Sequence, residues 1–112
     1  MWKKTYSKVY TGIQKEDAWQ RWVDVNHWPT WDSGLEYCKF ESSFSAGTQF
    51  ILKSKSGPKT KVIFSEVTSH QSFTVKAQFL GAAMYSEYLL EETVEGLRIT
   101  NTIIVTGPLT FL

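Results

Sequence analysis

Three polar residues interrupt what would otherwise be an unbroken apolar surface. Ser86, Tyr88 and Asn101 fall at alternate positions of two strand-like segments, alongside Met84, Leu90, Leu97, Ile99, Ile103 and Val105. A buried hydroxyl or amide must find a hydrogen-bond partner, and a few polar groups in an apolar wall mark a small-molecule pocket. The partner is a ligand on one reading, and a neighbouring polar group or bound water on the other. Trp28 and Trp31 are the second pair of interest. Three residues apart on one helical turn, they lean to the same side. They serve either as a gate that stacks a ring-bearing ligand or as plugs joining helix to sheet.

The remaining reactive side chains form no catalytic constellation. His27 can titrate near neutrality at a cavity mouth, but no orienting partner is visible and a helix-end histidine is the simpler reading. His70, between Ser69 and Gln71, reads as a turn residue. Cys38 has nothing nearby to activate its thiolate and reads as a small strand residue. Glu91, Glu92 and Glu95 cluster at a hairpin end, where solvated carboxylates are routine. The segment Lys53–Lys61 holds four lysines and no acid. It can attract phosphate or anionic lipid head groups, or simply keep a hairpin solvated. There is no glycine-rich phosphate loop and no Cys/His metal spacing, so no cofactor and no metal are expected.

The 112 residues suit one domain, 42% hydrophobic and 21% charged, as folded chains are. The aromatic content of 15% requires a bulky core or a ring-lined cavity. A net charge of +1 argues against a nucleic-acid binder with a broad basic surface. The single cysteine points to a reducing compartment, and no apolar run reaches the ~20 residues that span a bilayer. With no signal-peptide pattern at Met1-Trp2-Lys3-Lys4, a cytoplasmic protein without stable membrane insertion is expected.

The elements that must position these residues are legible from periodicity. Trp2–Tyr10 alternates as a strand, broken by Gly12. A helix starts at Glu16-Asp17, whose charges suit its positive end, and carries Ala18, Trp19, Trp22, Val23 and Val25 on its apolar face. Asn26-His27 ends it, and a second turn follows over Trp28–Asp32. Six strands are then expected at Leu35–Phe44, Thr48–Lys53, Thr60–Val67, Ser72–Phe79, Met84–Glu92 and Leu97–Thr106. The short turns between them, such as Ser56-Gly57-Pro58 and Glu95-Gly96, imply an antiparallel meander. Five of these strands present one continuous apolar face, which one short helix cannot cover. The sequence ends in the apolar run Gly107–Leu112, as if entering another element.

These segments resemble the START/polyketide-cyclase (SRPBCC) superfamily, whose prototype is the major birch-pollen allergen. The carriers are Trp19, the stretch Val25-Asn26-His27-Trp28-Pro29-Thr30-Trp31-Asp32, Gly47-Thr48, and Thr106-Gly107-Pro108. The resemblance implies an α+β helix-grip fold: a seven-stranded curved antiparallel sheet in the order β-α-α-β6, with two short N-terminal helices. The family's long C-terminal helix is absent from these residues, with Leu109–Leu112 as its approach.

The leading expectation is a protein that binds a hydrophobic or aromatic small molecule, lipid- or polyketide-like, on the concave sheet face. The expected lining is Trp28, Trp31, Phe50, Leu52, Phe64, Val75, Phe79, Met84, Ser86, Tyr88, Asn101 and Ile103. Two alternatives stand beside it. One is a polyketide cyclase or dehydratase, implied by the resemblance, in which the cavity shapes a flexible chain. The other is an interaction module whose uncovered sheet pairs with a partner or with a second copy of itself.

Overall fold

The computed structural model describes residues 1–79 and 81–107, so the expected approach at Leu109–Leu112 lies outside the described residues. Strand β1 (Trp2–Tyr10) leads through Gly12 into helix α1 (Lys15–Val23) and a 3-10 helix at Val25–Thr30. Six strands follow: β2 (Leu35–Lys39), β3 (Gln49–Ser54), β4 (Lys59–Thr68), β5 (Ser72–Phe79), β6 (Ala82–Thr93) and β7 (Gly96–Thr106). They form one curved antiparallel sheet in the order β1-β7-β6-β5-β4-β3-β2. Every neighbour except the β1–β7 pair is joined by a sequential connection, as the short turns require.

The registers fix which side chains share the concave face. Across β6 and β7, Met84 lies opposite Val105, Ser86 opposite Ile103, Tyr88 opposite Asn101 and Leu90 opposite Ile99. The rows continue through Ala77, Val75 and Phe73 on β5 to Val62 and Phe64 on β4 and Phe50 on β3. A bulge between Phe64 and Glu66 shifts the β4–β5 register, a device that bends and twists a sheet. Strand β1 closes the face on the β7 side. Trp2, Lys4, Tyr6, Lys8 and Tyr10 pair with Val105, Ile103, Asn101, Ile99 and Leu97, so the apolar face ends in a mixed aromatic and basic edge. Gly96 is required at the β6–β7 turn: φ is 143° there, and a Cβ would strike the Tyr10 carbonyl.

The core is an aromatic cluster between one half of the sheet and the two helices. Phe73 sits at its centre, stacked on Tyr88 with ring centroids 4.6 Å apart and edge-on to Trp22 at 5.1 Å and Phe44 at 5.3 Å. Phe64, Phe73, Leu90 and Val25 are fully enclosed. Strand β2 is shorter than its alternation predicts, ending at Lys39 rather than Phe44. The cause is local. The Asn26 side chain captures the backbone of Phe40, and Phe44 turns inward to meet Phe64 at 4.5 Å. The second helical turn also lies earlier than predicted, with Pro29 inside it and Asp32 beyond its end.

Candidate functional site

Two clefts open between the helices and the concave face, and Tyr88 and Trp31 line both. The larger has a volume of about 520 Å³ and lies among the end of β1, helix α1 and strands β6 and β7. Tyr10, Ala18, Trp22, Trp31, Tyr88 and Ile99 give it an apolar wall; Asp17, Arg21 and Asn101 supply polar groups. This volume lies within the range of small-molecule sites, about 300–1,000 Å³. The smaller cleft, about 100 Å³, lies under the C-terminal end of the 3-10 helix, against Leu52, Val62, Val75, Ala77, Met84 and Ser86.

Tyr88 is held by its ring and left open at its hydroxyl. The ring stacks on Phe73 and meets Trp22 edge-on at 5.6 Å. Among the described residues, no hydrogen bond engages the hydroxyl. Burial pushes its pKa up to about 12, with the Asp32 carboxylate adding to the effect. At neutral pH the group is therefore a neutral phenol with a proton to donate. Its cross-strand neighbour Asn101 donates from Nδ2 to the Glu87 carbonyl at 3.1 Å. That bond ties the amide to the sheet and leaves Oδ1 as an acceptor. Asp32 is oriented by the Gly34 N–H, which donates to Oδ1 at 3.0 Å.

The two indoles of the second turn divide the roles anticipated for them. Trp28 is buried, its Nε1 donating to the Trp22 carbonyl at 2.9 Å and its ring edge-on to Phe50 at 5.4 Å. It is a plug that also touches the smaller cleft. Trp31, 6.0 Å from Trp28 and 37% exposed, stands at the junction of both clefts.

Of the expected lining, Trp28, Trp31, Leu52, Val75, Met84, Ser86 and Tyr88 face the smaller cleft, and Trp31, Tyr88 and Asn101 the larger. Four residues stand apart from both. Phe50 and Phe64 are consumed by the aromatic core, stacked on each other at 5.1 Å. Phe79 is at the exposed rim, and Ile103 lies on the concave face beyond the cleft walls. The larger cleft is also lined by Asp17, Ala18, Arg21 and Trp22 of α1, which strand alternation does not reveal. The helical spacing of Ala18 and Trp22 carried the available signal.

The other reactive side chains lie elsewhere. His27 is an exposed helix-end residue paired with Asp24 at 2.8 Å. Cys38 is buried, and burial together with Asp32 pushes its thiol up to about 11, so it is protonated and unreactive at neutral pH. His70 is a turn residue at φ 61°, but it does more than turn the chain. It pairs with Glu16 at 2.8 Å and stacks on Trp19 at 5.8 Å, tying α1 to the β4–β5 turn. Among the described residues, no group of three or more His, Cys, Asp or Glu could hold a metal. No described helix is long and apolar enough to cross a membrane.

No family model matches this sequence, and no curated protein matches it. Solved structures do. Protein MLL2253 from Mesorhizobium loti superposes with a TM-score of 0.75 at 12% identity, over 95% of this chain and 78% of that one. The polyketide-cyclase-like protein Cgl2372 from Corynebacterium glutamicum gives 0.65 at 14% identity, over 93% and 65%. Norcoclaurine synthase from Thalictrum flavum gives 0.62 at 14% identity, over 95% and 71%. At such identities the likeness is one of fold: the chain has a birch-pollen-allergen-like helix-grip fold.

Proposed function

We propose that the protein binds a hydrophobic or aromatic small molecule, lipid- or polyketide-like, in the larger cleft beside α1. One observation carries this reading: Tyr88, whose hydroxyl has no hydrogen bond among the described residues, lines a largely apolar cleft of about 520 Å³ together with Asn101. A ligand with an apolar body and one hydroxyl near its centre would accept from Tyr88 and donate to Asn101. Trp31 and Trp22 would contribute ring faces. Ser86 and Met84 extend the same wall into the smaller cleft. The setting is cytoplasmic, in keeping with the unpaired Cys38.

Displacement of a fluorescent naphthalene dye tests this reading. Tyr88→Phe and Asn101→Leu should each weaken binding about tenfold, the value of one lost hydrogen bond at a desolvated site. Equal affinity in all three proteins would refute it. The same variants separate binding from the cyclase or dehydratase reading. A binder changes affinity alone, whereas an enzyme of that kind would lose turnover of a polyketide substrate.

A second reading rests on the half-exposed part of the concave face. Tyr6 is 52% exposed beside Asn101, and Trp2 is 48% exposed beside Val105. A second copy seated on this face would cover them as a symmetric dimer.

A further inference from the structure

On the convex face of the sheet the charges are segregated along the strands; Lys8 on β1 and Lys15 on α1 lie outside this pattern. At the end formed by the β3–β4 and β5–β6 turns, the outermost convex row places Lys53 opposite Lys59. The next sets Lys61 across from Ile51, which faces Lys39 on its other side. The third runs Ile63, Lys76, Tyr85, Ile104 and Lys3. Lys55 stands exposed in the β3–β4 turn. The acid nearest these rows is Glu36, already paired with Lys53 at 3.1 Å. From the fourth row on the sign changes: Glu87 lies between Thr74 and Thr102, Glu66 opposite Thr74, and Glu91 opposite Arg98. The chain's two arginines, Arg21 and Arg98, are both away from the lysine-rich end.

That end also bears exposed apolar surface. Phe79, 43% exposed, closes the last inward row opposite Ala82, and Trp2, 48% exposed, lies one inward row further in. Lysines on a hairpin are ordinary. Lysines gathered on the convex face at one end, with an exposed Trp and Phe at its rim, combine the two contacts of an interfacial protein: cations for head groups and rings for the acyl boundary.

We infer that the β3–β4 and β5–β6 turn end is a docking surface for an anionic lipid bilayer, engaged peripherally and reversibly. Lysine point charges suit a diffuse field of anionic head groups, whereas nucleic-acid recognition favours the planar fork of arginine. The carboxylates of Glu87 and Glu91, further along the convex face, would orient the molecule with the lysine-rich end toward the membrane. The inference is independent of what fills the cleft.

Vesicle co-sedimentation at low and physiological salt tests it, with the full chain. The protein should bind vesicles containing phosphatidylserine, ignore pure phosphatidylcholine, and release as salt rises. Changing Lys55, Lys59 and Lys61 together to Gln should lower partitioning about a hundredfold, at about fivefold per lysine. Arg98→Gln, the loss of one positive charge at the other end, should leave it within about twofold, against about fivefold for any one of the lysines. Trp2→Ser and Phe79→Ser should each weaken binding without abolishing its dependence on phosphatidylserine. Failure to bind anionic vesicles, or equal loss from Arg98→Gln and the lysine variant, would overturn the inference. So would retention of a DNA oligonucleotide under conditions where anionic vesicles are ignored.

Discussion

The Asn26 side chain pairs with both backbone groups of Phe40. Its Nδ2 donates to the Phe40 carbonyl at 2.9 Å, and its Oδ1 accepts the Phe40 N–H at 2.8 Å. An amide side chain has the same donor and acceptor as a peptide group, so Asn26 takes the place of a neighbouring strand just where β2 leaves the sheet. The bond pair attaches the 3-10 helix to the chain that carries Phe40 and Phe44 into the core.

Asn26→Ala should therefore destabilise the protein well beyond a surface substitution. Two hydrogen bonds and two part-buried backbone groups are at stake, about 2–3 kcal/mol in all. Urea unfolding of the two proteins measures it. Asn26→Asp keeps the acceptor for the Phe40 N–H but loses the donor, and should fall between them.

Phe73 is the centre of the core, and its ring also supports the ring of Tyr88. Phe73→Ala should cost about 3–5 kcal/mol. Phe73→Leu should be milder in stability yet still loosen Tyr88, so dye affinity should drop more than stability does. Comparing the two losses in one series distinguishes support of the site from general packing.

How far the site was legible follows from these same residues. Alternation in the sequence placed Tyr88 and Asn101 on one face, and the register set them directly opposite each other. Periodicity reports facing but not depth. Phe50 and Phe64 share the inward face with Met84, yet the inturned loop at Phe40 and Phe44 buries them in the core. That loop depends on a long-range side-chain bond from Asn26, which no local pattern reveals. The same limit hid Arg21 and Asp17, because the angle of α1 over the sheet is set by Trp19 and Trp22 packing beneath it. The basic inward edge of β1 was visible as alternation, but its partner strand was not.

Alkaline titration provides a pH test. The Tyr88 phenol is raised from the ordinary value near 10 to about 12 in the folded protein. The folded state thus holds this proton more tightly than the unfolded state. The resulting stabilisation is fully present below pH 10 and is lost as pH rises to about 12, amounting to about 2–3 kcal/mol. Cys38, raised to about 11 by the same burial, adds a loss that begins nearer pH 9. Ultraviolet titration of tyrosinate should show a late step that Tyr88→Phe removes.

Cys38 should resist an aromatic disulfide reagent at neutral pH until the chain is unfolded, because its thiol is buried and protonated. Rapid labelling of the folded protein would show that β2 opens far more readily than its packing implies.

Pairing of two copies through the concave face makes a separate prediction. Sedimentation should show a dimer at micromolar concentration, and Tyr6→Lys, placed beside Asn101 on the exposed edge, should return it to monomer. A monomer throughout would rule that pairing out while leaving the cleft beside α1 untouched.

The central claim is that the cleft between α1 and strands β6 and β7 holds an apolar ligand by its polar pair, Tyr88 and Asn101. Titrating the isotope-labelled protein with naphthol while following amide and indole resonances tests it most directly. The account predicts saturable shifts centred on Ala18, Trp22, Tyr88, Ile99 and Asn101, with the Tyr88→Phe protein needing about tenfold more ligand. Shifts confined to the convex face, or none at all at millimolar naphthol, would contradict it.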